Sequence, residues 1–360
     1  MSPGRVPGWA ALLLLLGLLA CSPEQAEQDP GAAPGPPDPA PTATAPATTA
    51  PATPSGDPSS APDPDRGDPL PPVPGPRSLA ALMREDFRAG PLRYGRVVEE
   101  TAAYTRWEVT YDSSGHTVSG ILLRPKGPGP FPGIVLNHGY VDPEVYVTGQ
   151  GLAREQDWLA EAGFAVLHTD YRGHAGSDPA GWLTRETRLG YTRDAINAVL
   201  ALERQPWVDP DRMAMLGRSM GGGVTMNALV VRPDLVEAAV IYASVSSSYL
   251  DNLRHFTLPN RPEVVEVLYD ELGTPEESPE VYAGLSPRSY FHRISDPVLL
   301  HHGTADETCP FPWAIETQRR LQRAGVDSRL EVYDGELHAF IPQWQRSMER
   351  SVRFLRRRLG

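Results

Sequence analysis

From residue 105 onward the chain alternates short, nearly continuous apolar runs with longer stretches of helical periodicity, and few folds accept that rhythm. Arg106–Tyr111, Val118–Leu123 and Gly133–Asn137 read as strands, joined by the turn-rich segments Asp112-Ser113-Ser114-Gly115 and Lys126-Gly127-Pro128-Gly129. Helical segments over 150–162, 186–204, 219–231, 311–324 and 343–359 then interleave with strand runs at Ala165–Asp170, Met213–Leu216, Ala238–Ala243, Val298–His302 and Leu330–Tyr333. Strands that return in parallel need crossovers of helical length, and strands covered on both faces are apolar throughout. The pattern predicts an α/β fold with a mixed, mostly parallel sheet flanked by helices. Residues 78–88 read as a lead-in helix, with Leu79, Leu82, Met83 and Phe87 on one face and Ser78 as N-cap. Over 50 residues separate the strands at 238–243 and 298–302, and they include Leu253, Phe256, Val264 and Val265. That is too long and too apolar for a bare loop. A small helical insertion at about 245–290, shaping the pocket at the sheet's C-terminal edge, is expected there.

The N-terminal part has a different character. Trp9 to Ala20 is a Leu-rich run preceded by Arg5, too short to span a bilayer and suited to a signal-peptide core. It ends in Leu18-Leu19-Ala20-Cys21, which resembles a bacterial lipobox, so 1–21 is expected to be a lipoprotein-type signal with Cys21 as the lipidated residue. The alternative is a plain secretory signal. Residues 22–76 hold 18 of the chain's 39 prolines and no aromatic residue. Such a segment cannot bury enough surface to offset the entropy of ordering, and a disordered Pro/Ala/Thr-rich linker is expected. Together these features predict a folded domain tethered to the cell envelope through a membrane lipid, periplasmic or on the outer membrane. The formal charge of -12 argues against a nucleic-acid partner, and two cysteines exclude a Cys-based metal cluster. No metal-ligand spacing or phosphate loop is present, so no cofactor is expected.

Gly217-Arg218-Ser219-Met220-Gly221 fits G-x-S-x-G with a strand before it and a helix after it, the context of a nucleophile elbow. A sharp strand-to-helix turn lifts the serine hydroxyl out of the sheet and leaves a helix N-terminus beneath it, where negative charge is favoured. Serine needs a base, and the base needs an acid to fix its tautomer. Asp306, in His302-Gly303-Thr304-Ala305-Asp306, follows a strand, and His338 follows the last strand in a loop. The chain order Ser219, Asp306, His338 is the one this architecture uses. Glu307, Asp334 and Glu336 are competing acids, and His138, His301 and His302 competing histidines. The Met220 N–H is the expected first oxyanion donor, with the Tyr140 N–H, from Asn137-His138-Gly139-Tyr140, as the second. Arg172 is expected in a structural ion pair and Cys309 as a buried thiol.

These stretches, with Asp170-Tyr171-Arg172-Gly173-His174-Ala175-Gly176-Ser177 and Ser286-Pro287, resemble the α/β-hydrolase fold. Within that fold they resemble the catalytic domain of the prolyl oligopeptidase (S9) family and related esterases. Residues 77–360 would form that domain. Where the family often carries His-Gly-Gly-Pro, this chain has His138-Gly139-Tyr140-Val141. The resemblance implies a serine hydrolase. The large N-terminal propeller of the oligopeptidases has no room here, which favours an esterase acting on small esters. A serine peptidase cutting short peptides or aminoacyl amides, and a binding protein on a hydrolase scaffold, are the alternatives.

Overall fold

The computed structural model describes residues 69–360. The signal at 1–21, Cys21 and the linker up to residue 68 lie outside the described residues. Nine strands form one sheet among the described residues: β1 (Arg93–Glu100), β2 (Tyr104–Ser113), β3 (His116–Pro125), β4 (Phe131–Asn137), β5 (Ala165–Thr169), β6 (Val208–Arg218), β7 (Ala238–Tyr242), β8 (Val298–Gly303) and β9 (Ser328–Tyr333). Their order is β1-β2-β3-β5-β4-β6-β7-β8-β9. The first three strands and the β3–β5 pair are antiparallel, and from β5 to β9 every neighbour is parallel. This is the expected mixed, mostly parallel α/β sheet.

Period-two alternation divides each strand between two cores. Leu122, Val135, Leu167, Met215, Ile241 and Leu300 point into one. Their neighbours Leu123, Leu136, Val166, Leu216, Val240 and Leu299 point into the other. Helices α4 (Leu189–Glu203), α5 (Met220–Val231) and α9 (Phe311–Arg323) cover the first face, and α2 (Ala153–Glu161) and α10 (Trp344–Leu359) the second. Among the described residues no helix is long and apolar enough to cross a membrane.

Four local expectations need correction. The lead-in helix is only α1 (Leu79–Leu82), one turn capped by the Ser78 hydroxyl on the Ala81 N–H at 3.1 Å. Residues 93–100 form an unexpected edge strand; its RYGRVVEE sequence is exposed at every position, so no apolar alternation marks it. The helix expected over 186–204 is α4, which starts only after Arg188, whose φ of 61° is left-handed, and an unexpected short helix, α3 (Trp182–Thr187), precedes it. Finally, the linker's last residues are engaged: Arg84 donates to the carbonyls of Leu70 and Pro71, and Ser78 to that of Gly75 at 2.8 Å.

The insertion is helical, as expected. It comprises α6 (Tyr249–Asn252), a π-helical turn (Leu253–Thr257), α7 (Pro262–Leu272), α8 (Pro279–Gly284) and a 3₁₀ segment (Pro287–Arg293). Just beyond it Asp296 is buried with one carboxylate oxygen unpartnered. Burial pushes its pKa up to about 7, with a weak bond from Ser295 opposing and Asp234 and Glu237 adding to the rise. The folded chain therefore binds this proton more tightly than the unfolded chain, whose carboxyl titrates near 3.8. The group's contribution to stability is full below that value and is lost as pH rises through about 7. Asp296→Asn should raise the melting temperature at pH 8.5 by about 3 °C or more. The gap should close below pH 4, and a thermal-melt series across pH checks both points.

Candidate active site

Ser219 sits between β6 and α5 with φ 57° and ψ -121°. A non-glycine residue there is strained and persists only where its surroundings fix it. The Ser219 N–H donates to the Tyr242 carbonyl at 2.9 Å, and its carbonyl accepts the Gly222 N–H at 3.0 Å. The flanking glycines make the turn possible. A Cβ on Gly221 would lie 1.9 Å from the Asn137 carbonyl oxygen, and one on Gly217 would lie 2.2 Å from that of Gly221. Ser219 is the N-cap of α5, yet its hydroxyl caps nothing. An N-cap serine ordinarily spends its oxygen on the first-turn amides; here it faces a cavity. Arg218, within the motif, pairs with buried Glu155 at 2.9 Å, and Glu155 also accepts the Trp344 indole N–H at 2.8 Å.

Asp306 and His338 come from the loops after β8 and β9. His338 Nδ1 lies 2.9 Å from Asp306 Oδ2 and 3.0 Å from Oδ1. The carboxylate can only accept, so Nδ1 carries the proton and Nε2 is left with its lone pair. Asp306 Oδ1 also accepts the N–H groups of Cys309 at 2.7 Å and Thr308 at 2.9 Å. Burial alone would raise the Asp306 pKa, but these bonds and His338 outweigh it and hold the carboxyl below its ordinary value.

The competing groups have other partners or positions. Glu336 accepts the Ile341 and Gln343 N–H groups at 2.9 and 2.7 Å and so pins the His338 loop. Glu307 accepts the His338 backbone N–H at 3.1 Å, and Asp334 the Thr304 hydroxyl at 3.1 Å. His301 is held between the Tyr333 and Ser351 hydroxyls, and burial with Arg350 and Arg329 nearby pulls its pKa down to about 3. His302 Nε2 lies 2.8 Å from the Cys309 carbonyl and 3.3 Å from Asp306 Oδ2, behind the acid rather than on the cavity wall where His338 stands, and His138 stacks on Tyr146. Arg172 makes the expected ion pair, with Asp194, at 2.7 Å.

Ser219, His338, Met220 and Tyr140 line one cavity of about 520 Å³. Ser219 and His338 share that wall without a hydrogen bond between their side chains. The Tyr140 N–H has no acceptor among the described residues, and Met220, as first residue of α5, has none within its helix. The chain passes close to the serine here: a Cβ on Gly139 would lie 3.2 Å from Ser219 Cβ. The roof comes from the insertion, through Tyr249, Asn252, Leu253, Phe256 and Arg261. It is tied down where His255 Nε2 meets the Thr308 carbonyl at 3.2 Å and where Arg261 pairs with Glu186 at 2.8 Å.

Two groups beside the site have surroundings that no motif marks. Cys309 is buried as expected, with its thiol close behind Asp306, whose carboxylate accepts the Cys309 N–H. Burial and the Asp306 charge push that thiol up to about 12, against the opposing Ser219 hydroxyl and Arg188. It stays protonated and is no rival nucleophile. The second is Arg188. Burial pulls its pKa below that of a free guanidinium, opposed by Tyr249 and Glu186, yet an arginine remains charged. No motif marks either residue; Arg188 lines the cavity, and Cys309 lies buried beside the wall residue Thr308.

Residues 150–360 match the model of the prolyl oligopeptidase family. The chain is 26% identical over 247 residues to an uncharacterized peptidase, YtmA, of Bacillus subtilis (strain 168), spanning 68% of this chain and 91% of that one. In fold it is similar to the acetyl xylan esterase of Paenibacillus sp. R4, with a TM-score of 0.60 at 21% identity over 77% of this chain and 92% of that one. It is also similar to the Pyrococcus horikoshii acylaminoacyl peptidase, with a TM-score of 0.59 at 21% identity over 71% of this chain and 42% of that one. The sheet, the elbow and the matched residues agree: this chain belongs to the prolyl oligopeptidase family and is a serine hydrolase.

Proposed function

We propose that the chain hydrolyses carboxylic esters of small substrates through an acyl-enzyme on Ser219. The Ser219 oxygen attacks the acyl carbon while His338 Nε2 takes its proton. The imidazolium is stabilised by Asp306 and then protonates the departing alcohol. The tetrahedral oxyanion is received by the Met220 and Tyr140 N–H groups. Water, deprotonated by the same imidazole, releases the acid. The observation that carries this reading is the His338–Asp306 contact at 2.9 Å on the wall of the cavity that Ser219 faces.

Two features favour small esters over free peptides. A cavity of about 520 Å³ suits a small substrate. Its wall carries Arg185, Arg188 and Arg261 but a single carboxylate, Glu186, which Arg261 already holds. A substrate ammonium would meet net positive charge. Purified protein should release p-nitrophenol from the acetyl and butyryl esters while leaving alanyl- and prolyl-p-nitroanilide intact. Faster release from the anilides would reverse the assignment in favour of a peptidase. For the rest of the chain, an envelope tether through a lipid on Cys21 and a linker to residue 76 stays the reading of the sequence; mass spectrometry of the mature N-terminus tests it.

A further inference from the structure

We propose that this cavity selects substrates bearing a free carboxylate, bound between the Arg188 guanidinium and the Tyr249 hydroxyl. The inference rests on the serine-hydrolase reading above and adds the substrate's charge. Arg188 lies in the same wall as Ser219 and Tyr249. Its guanidinium makes no hydrogen bond and no ion pair among the described residues. The one carboxylate of the wall is taken: Glu186 meets Arg261 at 2.8 and 3.1 Å and Arg185 at 3.7 Å. Arg188 is half-buried in the wall, and a cation so placed in a protein ordinarily has a partner. The Tyr249 hydroxyl is buried and also has no hydrogen-bond partner. Two vacant donors of one cavity, one cationic and one neutral, match an acceptor with two oxygens and a single negative charge, which is a carboxylate.

The backbone supports the same conclusion. Arg188 occupies the left-handed break between α3 and α4. Strained residues of this kind gather at ligand-binding positions. Arg188 and Ser219 line one cavity of about 520 Å³. An anion held at Arg188 is therefore within one small molecule's length of the attacked carbonyl.

The carboxylate can belong to the acyl part or to the leaving group, and two pairs of esters distinguish them. For the acyl side, mono-4-nitrophenyl adipate is compared with its methyl ester. For the leaving group, 4-acetoxybenzoate is compared with methyl 4-acetoxybenzoate. In one pair, kcat/KM for the anion should exceed that for the neutral partner by about 50-fold. Arg188→Gln should bring that ratio close to one, and Arg188→Lys, which keeps the charge but loses the fork, should leave it in between. Thermal melts show whether each variant is folded; if Arg188→Gln is not, the wild-type and Arg188→Lys ratios decide. A wild-type ratio near one in both pairs, or a preference that survives in folded Arg188→Gln, overturns the carboxylate site. Continued cleavage of the neutral esters in that case leaves the hydrolase reading intact. If none of the four esters is cleaved and Ser219 takes no fluorophosphonate, the underlying reading fails, and this proposal with it.

Discussion

Ser219→Ala should lower the turnover of a short p-nitrophenyl ester by about 10⁴-fold or more while leaving the melting temperature unchanged. The two halves of this result have separate causes. Every structural bond recorded for Ser219 at the turn is made by its backbone: the N–H to Tyr242, and the carbonyl accepting from Gly222, Gly223 and Val245. Its hydroxyl caps no helix amide, and alanine meets the same steric cost at φ 57° because it also carries a Cβ. The variant therefore keeps the fold and loses only the oxygen that forms the acyl bond. Comparing steady-state rates with a thermal melt on the same preparation checks both. An unaltered rate would move the nucleophile elsewhere.

Asp306→Asn should cost about 10³- to 10⁴-fold in kcat, again with little loss of stability. The reason lies in the neighbouring amides. The Cys309 and Thr308 N–H groups both donate to Oδ1, so an asparagine would keep its oxygen there and turn its NH₂ toward His338. That group would donate to Nδ1, move the imidazole proton to Nε2, and remove the lone pair that has to accept the serine proton. The defect is one of tautomer, so neither pH nor substrate concentration should restore the rate. A pH–rate profile that returns to wild-type values at alkaline pH would show instead that Asp306 acts only through its charge.

How much of this could be read from the sequence differs sharply between parts of the site. The elbow was legible because its constraint is steric and local: Gly217 and Gly221 leave no room for a Cβ, and the strand and helix on either side carry their own periodicities. The acid and the histidine were legible through order and position, each in the loop after a β-strand. Rejecting Glu336 and Glu307 was a different matter. Only the tertiary structure shows that their carboxylates bind backbone amides of the His338 loop. The edge strand β1 escaped because a strand exposed at every position leaves no hydrophobic signature. The break at Arg188 escaped because a single left-handed residue leaves no mark in the periodicity. The same residue is the unpaired cation of the cavity, so the position where local reasoning fails is also one where a ligand is inferred.

The central claim is that Ser219 becomes a nucleophile because His338 and Asp306 converge on the cavity it faces. The most direct test is to treat the folded protein with a fluorophosphonate and map the modified residue by peptide mass spectrometry. One adduct is expected, on Ser219, that is lost on denaturation and strongly reduced in His338→Ala. Folded protein that takes no label, or label at any other residue, would contradict it.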